Sequence, residues 1–313
     1  MDIGCIIKQY MYSFRNDIHW DIRVYNASEF ENNKCDLSRA RYFELLGNKK
    51  YWYADPILID HDGRTYLFFE QYDIKARKGT IGYSEVTNEG LTEPKCIIRS
   101  AFHMSFPMVF EQQGQYYMIP ETEADQSLLL YRAEHFPDKW VLEKRLLTGV
   151  KATDTILIRE DDNAYLLVSE DRNSDSCDMV NVLYPFDLNT LTIVGSGVEV
   201  ASGNVGVRNA GKPFCFEGKK IRPGQDCKGN VYGRGICFWE YSMQPAYLEK
   251  MIDYEIHPLE LFGQNTCYTG THTFSVSQQY VAVDCRRDVV NPAIYTFFLT
   301  ARCLLQRIMR KLR

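Results

Sequence analysis

No run in this sequence is long and apolar enough to cross a bilayer as a helix. The opening residues Met1 to Lys8 lack a cationic segment followed by an apolar core and a cleavage site, so no secretory signal is expected. Pairing signals among the cysteines are missing as well. The ten cysteines stand singly, and no two have the C-x-x-C spacing of a zinc site. Cys215 and Cys237 fall inside expected strands, where a free thiol acts as a small hydrophobe, and reduced thiols in a cytoplasm are the simplest account. No P-loop, G-x-S-x-G, dinucleotide fingerprint or metal constellation is present, so neither cofactor nor metal is expected. A strong charge of one sign is also lacking: a net charge of -5 over 313 residues argues against a nucleic-acid partner for the body of the chain.

What is abundant is aromatic, with 21 Tyr and 17 Phe, and it recurs in a pattern. Residues 51–70 read as two apolar strands, Ile57 to Ile59 and Thr65 to Phe69, joined by a turn at His61-Asp62-Gly63. Asp55 precedes the first strand and Glu70 closes the second, so an antiparallel hairpin sets two acids on one sheet edge. The unit returns at Ser105–Glu121, Thr153–Glu170, more weakly at Gly211–Asp226, and at Thr271–Asp284. The place of Asp55 is then held by Phe106, Asp154, Lys212 and His272. A period of about 50 to 60 residues is that of a four-stranded propeller blade. An all-β fold with five blades over residues 46–294 is therefore expected. Residues 1–45 would supply a ring-closing strand at His19–Tyr25, and Val198 to Asn209 reads as a Gly-rich loop. Residues 295–313 differ: Leu304, Leu305, Ile308, Met309 and Leu312 recur at helical spacing among Arg302, Arg307, Arg310, Lys311 and Arg313. A basic amphipathic helix there would suit the anionic inner face of a membrane, or equally a protein surface.

Several motifs carry a family resemblance as a set: Trp52-x-Ala54-Asp55-Pro56, His103-x-Ser105-x-Pro107, Met118-x-Pro120-Glu121-Thr122, Arg222-Pro223-x-Gln225-Asp226 and His272-Thr273. Over about residues 50 to 290 the chain resembles the N-terminal domain of plant glucosamine inositolphosphorylceramide transferases and its stand-alone bacterial relatives. The resemblance implies a five-bladed propeller akin to the furanosidase-type glycoside hydrolases. In that wider clan a first-blade Asp acts as base or nucleophile, a third-blade Asp tunes it or holds the sugar, and a Glu is the acid. Asp55 and Asp154 match the first two by position. The usual fourth-blade Glu has no counterpart, since Gln225 and Asp226 stand nearby instead, and Glu121 in the second blade is the best spare acid.

Sugar chemistry needs one charged and one protonated carboxyl flanking an anomeric centre. Asp55 and Glu121 are the favoured pair, with Asp154 third; the structural alternatives are a turn cap for Asp55 and a backbone-bonded acid for Glu121. Glu70 reads as a buried partner of an arginine. Arg208, Arg222 and Lys212 fall in one blade, suiting either an anionic donor such as a nucleotide sugar or sugar phosphate, or charge balance for inner acids. His103 and His272, at inner strand starts, suit sugar hydroxyls or a satisfied core. Tyr53, Phe106 and Tyr268 read as core more than as sugar platforms. Three functions stay open: glycosyl transfer in polysaccharide or glycolipid assembly at the cytoplasmic face of a membrane, glycoside hydrolysis or phosphorolysis, and glycan binding without turnover.

Overall fold

The computed structural model describes residues 16–32, 37–172, 174–244, 246–256, 261–262 and 267–290. Five antiparallel sheets follow one another along the chain. The first runs from the axis outward through Tyr51–His61, Arg64–Asp73, Lys78–Thr87 and Lys95–Ile98. The second runs through Ser105–Gln112, Gln115–Glu121, Ser127–His135 and Lys139–Thr148. The third is built from Ala152–Glu160, Asn163–Glu170, Met179–Asp187 and Val198–Gly203. The fourth takes Val205–Asn209 and Phe214–Phe216 as its inner edge, then Lys219–Asp226, Gly235–Ser242 and Leu248–Ile256. The fold is an all-β, five-bladed β-propeller. The stretch 198–209 is thus not the expected loop: its apolar residues serve as the outer edge of one blade and the inner edge of the next.

The fifth sheet joins the two ends of the chain. Its inner strands, Tyr268–Gly270 and Phe274–Val276, pair with Tyr280–Val290. That strand pairs along eleven residues with Asn16–Asn26, which in turn pairs with Tyr42–Leu45. The helix expected at 295–313 lies outside the described residues.

Apolar side chains fill the space between neighbouring blades. Ile22, Val24, Leu58, Leu67 and Ala282 bury the seam between the fifth and first sheets. Phe68, Phe106, Leu130 and Leu167 belong to a continuous core under the first three. Each such side chain contributes about 1.5–3 kcal/mol relative to exposure. Tyr53, Phe106 and Tyr268 are buried in this packing. Cys237 is buried too, whereas Cys215 is exposed.

One local device repeats at the inner strands. Pairing with the second strand skips between Ala54 and Ile57, between Ser105 and Met108, and between Thr153 and Ile156. In each skip one residue takes a left-handed backbone: Asp55 at φ 54°, Phe106 at 41° and Asp154 at 38°. A non-glycine residue there stores roughly 1–3 kcal/mol, and such strain collects at functional sites. Pro56 and Pro107 follow two of these residues, where no ladder donor is needed. The bulges re-aim two aspartates toward the axis.

Candidate functional site

Two buried clusters face each other across the propeller axis. The first joins blades one and five. Asp55 Oδ1 accepts from Thr273 Oγ1 at 2.9 Å, and its Oδ2 accepts from the Phe106 backbone N–H at 3.1 Å. His272 lies between two carboxylates, with Nδ1 2.5 Å from Asp284 Oδ2 and Nε2 3.6 Å from Asp55 Oδ1. Asp284 is itself held by backbone N–H groups of His272 and Thr273. Trp20, from the N-terminal strand, stacks on the His272 ring at 4.0 Å, and Tyr232 meets it edge-on at 5.1 Å.

Burial lifts the Asp55 carboxyl to about 6 even though His272 opposes the rise. Burial works against a charge on His272, but Asp284 and Asp55 outweigh it and hold the proton on above the usual histidine range. The arrangement is a row of carboxylate, imidazolium and carboxylate, of which only Asp55 sits on a strained bulge.

The second cluster joins blades two, three and four. Arg208 Nε donates to Asp154 Oδ2 at 2.5 Å, and its Nη2 donates to Glu121 Oε2 at 3.3 Å. Gln225 Nε2 donates to the same Asp154 oxygen at 2.9 Å. Asn209 donates to the backbone carbonyls of Asp154 and Leu167, fixing the bulge. The Arg208 guanidinium lies 5.1 Å over the Tyr232 ring. Burial, then the charge of Asp154, pushes Glu121 well above the carboxylate range. Asp154, Tyr232 and Glu121 together hold the Arg208 charge firmly on, against its burial. Here again one cation serves two acids.

Glu70 borders both clusters. Its partner is His103, not the expected arginine: His103 Nε2 stands 3.4 Å from Glu70 Oε1. The Gly79 N–H donates to His103 Nδ1 at 3.0 Å, which assigns the proton to Nε2. Burial lowers the His103 pKa and raises that of Glu70 well above normal, and Asp55 adds to the latter. Burial thus favours the neutral form of both groups. Gly79 makes the contact possible, because a Cβ there would collide with the Glu70 carboxyl and the Met104 carbonyl.

Of the residues picked from sequence, Asp55, Glu70, Glu121, Asp154, Arg208, Gln225, His103 and His272 converge here. Arg222 and Asp226 do not share these contacts. Arg222, fully buried, forks onto Glu249 and reaches the Gly206 carbonyl and Asn209. It ties the fourth blade together, and a Cβ on Gly206 would collide with the neighbouring Trp239 ring. Asp226 is paired with Arg234. Lys212 turns to the Leu58 carbonyl, and burial lowers it to about 8. Trp20 and Tyr232 were missed. Trp20 belongs to the segment before the first repeat, and Tyr232 to residues 227–234, a connection between two strands of the fourth blade that brings its ring against His272. Asp284 was legible as the fifth closing acid and went unused.

Solved structures with this architecture include the GH43_1 enzyme from Xanthomonas citri, with TM-score 0.54 and 12% identity over 79% of this chain and 91% of that one. The catalytic domain of Coprinopsis cinerea GH62 α-L-arabinofuranosidase matches with TM-score 0.54 and 11% identity over 78% and 93%. At such identities the likeness carries the fold alone. Sequence relatives are closer. Glucosamine inositolphosphorylceramide transferase 1 of Arabidopsis thaliana is 34% identical over 201 residues, 62% of this chain and 26% of its own. That of Oryza sativa subsp. indica is 31% identical over 197 residues, 58% and 25%. The chain thus spans about a quarter of these relatives. The profile described as glucosamine inositolphosphorylceramide transferase 1, N-terminal, matches residues 43–282. With most of the propeller inside that match, the chain belongs to the family of glucosamine inositolphosphorylceramide transferase 1 N-terminal regions.

Proposed function

We propose that the propeller processes carbohydrate at the inner end of its axial funnel, by glycosyl transfer in polysaccharide or glycolipid assembly. The observation that carries this is Asp55: a strained, buried carboxylate whose pKa is lifted to about 6, beside carboxyls that burial pushes further toward their protonated form. That is the pairing of base and acid that substitution at an anomeric carbon requires. In the proposed step an acceptor hydroxyl gives its proton to Asp55 as its oxygen bonds to the anomeric carbon. The bond from that carbon to the leaving oxygen breaks, and the leaving oxygen takes a proton from Glu121, or departs as a phosphate that needs none. Arg208 and Gln225 hold Asp154 fixed, so that its carboxylate can stabilise positive charge developing on the sugar ring.

The names of the plant relatives favour transfer over hydrolysis. So does the fourth blade, where Gln225 is an amide and Asp226 is paired with Arg234, so that neither stands ready as the acid. A second reading is a glycan-binding module without turnover. It is favoured by the neutralisation of Glu121 and Asp154 through Arg208.

The test is a thermal-shift screen against nucleotide sugars, sugar phosphates and free oligosaccharides, followed by assay of nucleotide or phosphate release with each ligand that stabilises the fold. Stabilisation by an activated sugar, with release abolished in Asp55→Asn, supports transfer. Stabilisation by free glycans alone, with no product, supports the binding module and overturns transfer.

A further inference from the structure

The first-blade sector of the funnel entrance carries a charge opposite to that of the neighbouring sectors, where loops 122–126 and 171–178 hold Glu123, Asp125, Asp171, Asp175 and Asp178. Three loops of the first blade lie side by side at the end of the sheet where Asp55 and Glu70 stand: residues 46–50, 74–77 and 99–103. Their adjacency is fixed by the Tyr51–Asp73 pairing, by the Ile74 N–H donating to the Lys50 carbonyl at 3.0 Å, and by Lys78 Nζ donating to the Ser100 carbonyl at 2.6 Å. Together with the flanking Asp73 and Lys78 they carry Lys49, Lys50, Lys75, Arg77, Lys78 and Arg99 against the single acid Asp73. Lys49, Lys50, Lys75, Arg77 and Arg99 are exposed. Leu46, at the crest of the first loop, is 53% exposed. In a chain of net charge -5 this is a strong local reversal of sign.

We infer that this rim docks on an anionic lipid surface and so turns the funnel mouth toward lipid headgroups. The cations lie on the outer crests of three loops and do not converge on one pocket, which suits a plane of many phosphates better than one small anion. An exposed leucine three residues before Lys49 suits the boundary between headgroups and acyl chains. A second, independent feature points the same way. The paired strands Asn16–Asn26 and Tyr280–Val290 pass the axis at Trp20 and Asp284 and end at Asn16 and Val290, on the funnel side. Val290 lies six residues beyond Asp284, about 20 Å further along a strand. The chain beyond Val290 holds five cations and no acid.

The test uses the full chain and sedimentation with phosphatidylcholine vesicles, with and without phosphatidylserine, at physiological salt. The wild type is expected to bind only the anionic vesicles. Lys49→Glu, Lys50→Glu and Arg77→Glu together are expected to weaken binding at least about a hundredfold, since each cation near the surface is worth roughly fivefold. An unchanged melting midpoint would show that this variant folds. Three reversals on the hairpin-turn face, Arg64→Glu, Lys219→Glu and Lys220→Glu, are expected to change binding less than about threefold. The inference is overturned if wild type ignores anionic vesicles, if the rim variant binds as wild type does, or if both sets of reversals weaken binding equally. It is also overturned if uridine diphosphate stabilises the wild type but not the rim variant while neither binds vesicles, which would make the rim a nucleotide subsite.

Discussion

The two clusters at the axis have the same charge formula and different chemistry. Each sets one cation between two carboxyl groups: His272 between Asp284 and Asp55, and Arg208 between Asp154 and Glu121. Arginine keeps its charge at any pH a protein survives, and its planar fork fixes both partners. Histidine can lose its proton, and here it stands 3.6 Å from Asp55, too far for a firm hydrogen bond. The arginine side is a clamp, and the histidine side can respond to a proton. That difference favours Asp55 over Asp154 for the proposed role of base, although the same bulge presents both.

The comparison can be broken at several points. Asp55→Asn keeps the shape of the site and removes the base; turnover with whichever donor the screen identifies should fall on the order of 1000-fold, measured as kcat/KM. The same change at Asp154 should also raise KM, because it releases Arg208 and Gln225 into the site. Next in size, Arg208→Met should cost about 3–4 kcal/mol of stability by denaturant titration, because two buried acids lose their counter-ion.

The histidine side predicts a pH dependence. Asp55 has a folded pKa of about 6, above its unfolded value of about 4. The native state therefore binds more protons than the unfolded chain between those values, and stability falls as pH rises through that window. The fall attributable to Asp55 is at most roughly 3 kcal/mol. His272, also raised, contributes stability that is full below about pH 6.5 and is lost as pH rises through its folded pKa. Both act in one direction, so Asp55→Asn should flatten the curve between about pH 4 and 6, as read from melting midpoints. A wild-type curve that rises through that window would show that Asp55 does not hold its proton. The smallest effect belongs to Glu70→Gln: a carboxyl that burial pushes toward its neutral form should be replaced at a cost below about 0.5 kcal/mol. A large loss there would mean that Glu70 is ionised and paired with a charged His103.

The hairpin repeat was legible because each blade must alternate apolar strands with a glycine turn, and the period follows from four strands per blade. The alignment also brought Asp55, Phe106 and Asp154 into register, and these three share the left-handed bulge. What local pattern did not reveal was pairing between blades. Asp154 and Arg208 are 54 residues apart, and the clamp depends on how blade three meets blade four. Trp20 reaches His272 only because the first strand lies beside the last one. Arg222 misled for the opposite reason: a cation next to Gln225 and Asp226 looked like part of the site, yet alternation along the strand turns it to Glu249.

The eleven-residue ladder between Asn16–Asn26 and Tyr280–Val290 also sets a clock. The first strand emerges early in synthesis, and its partner follows some 250 residues later, roughly 10 to 60 seconds at ordinary translation rates. Until then Trp20 has no His272 to cover, and Asp284 does not yet exist to orient that imidazole. The nascent chain therefore carries an open strand edge that invites wrong partners, while four blades assemble around an axis that is not yet closed. The cluster around Asp55 is completed only when the ring shuts.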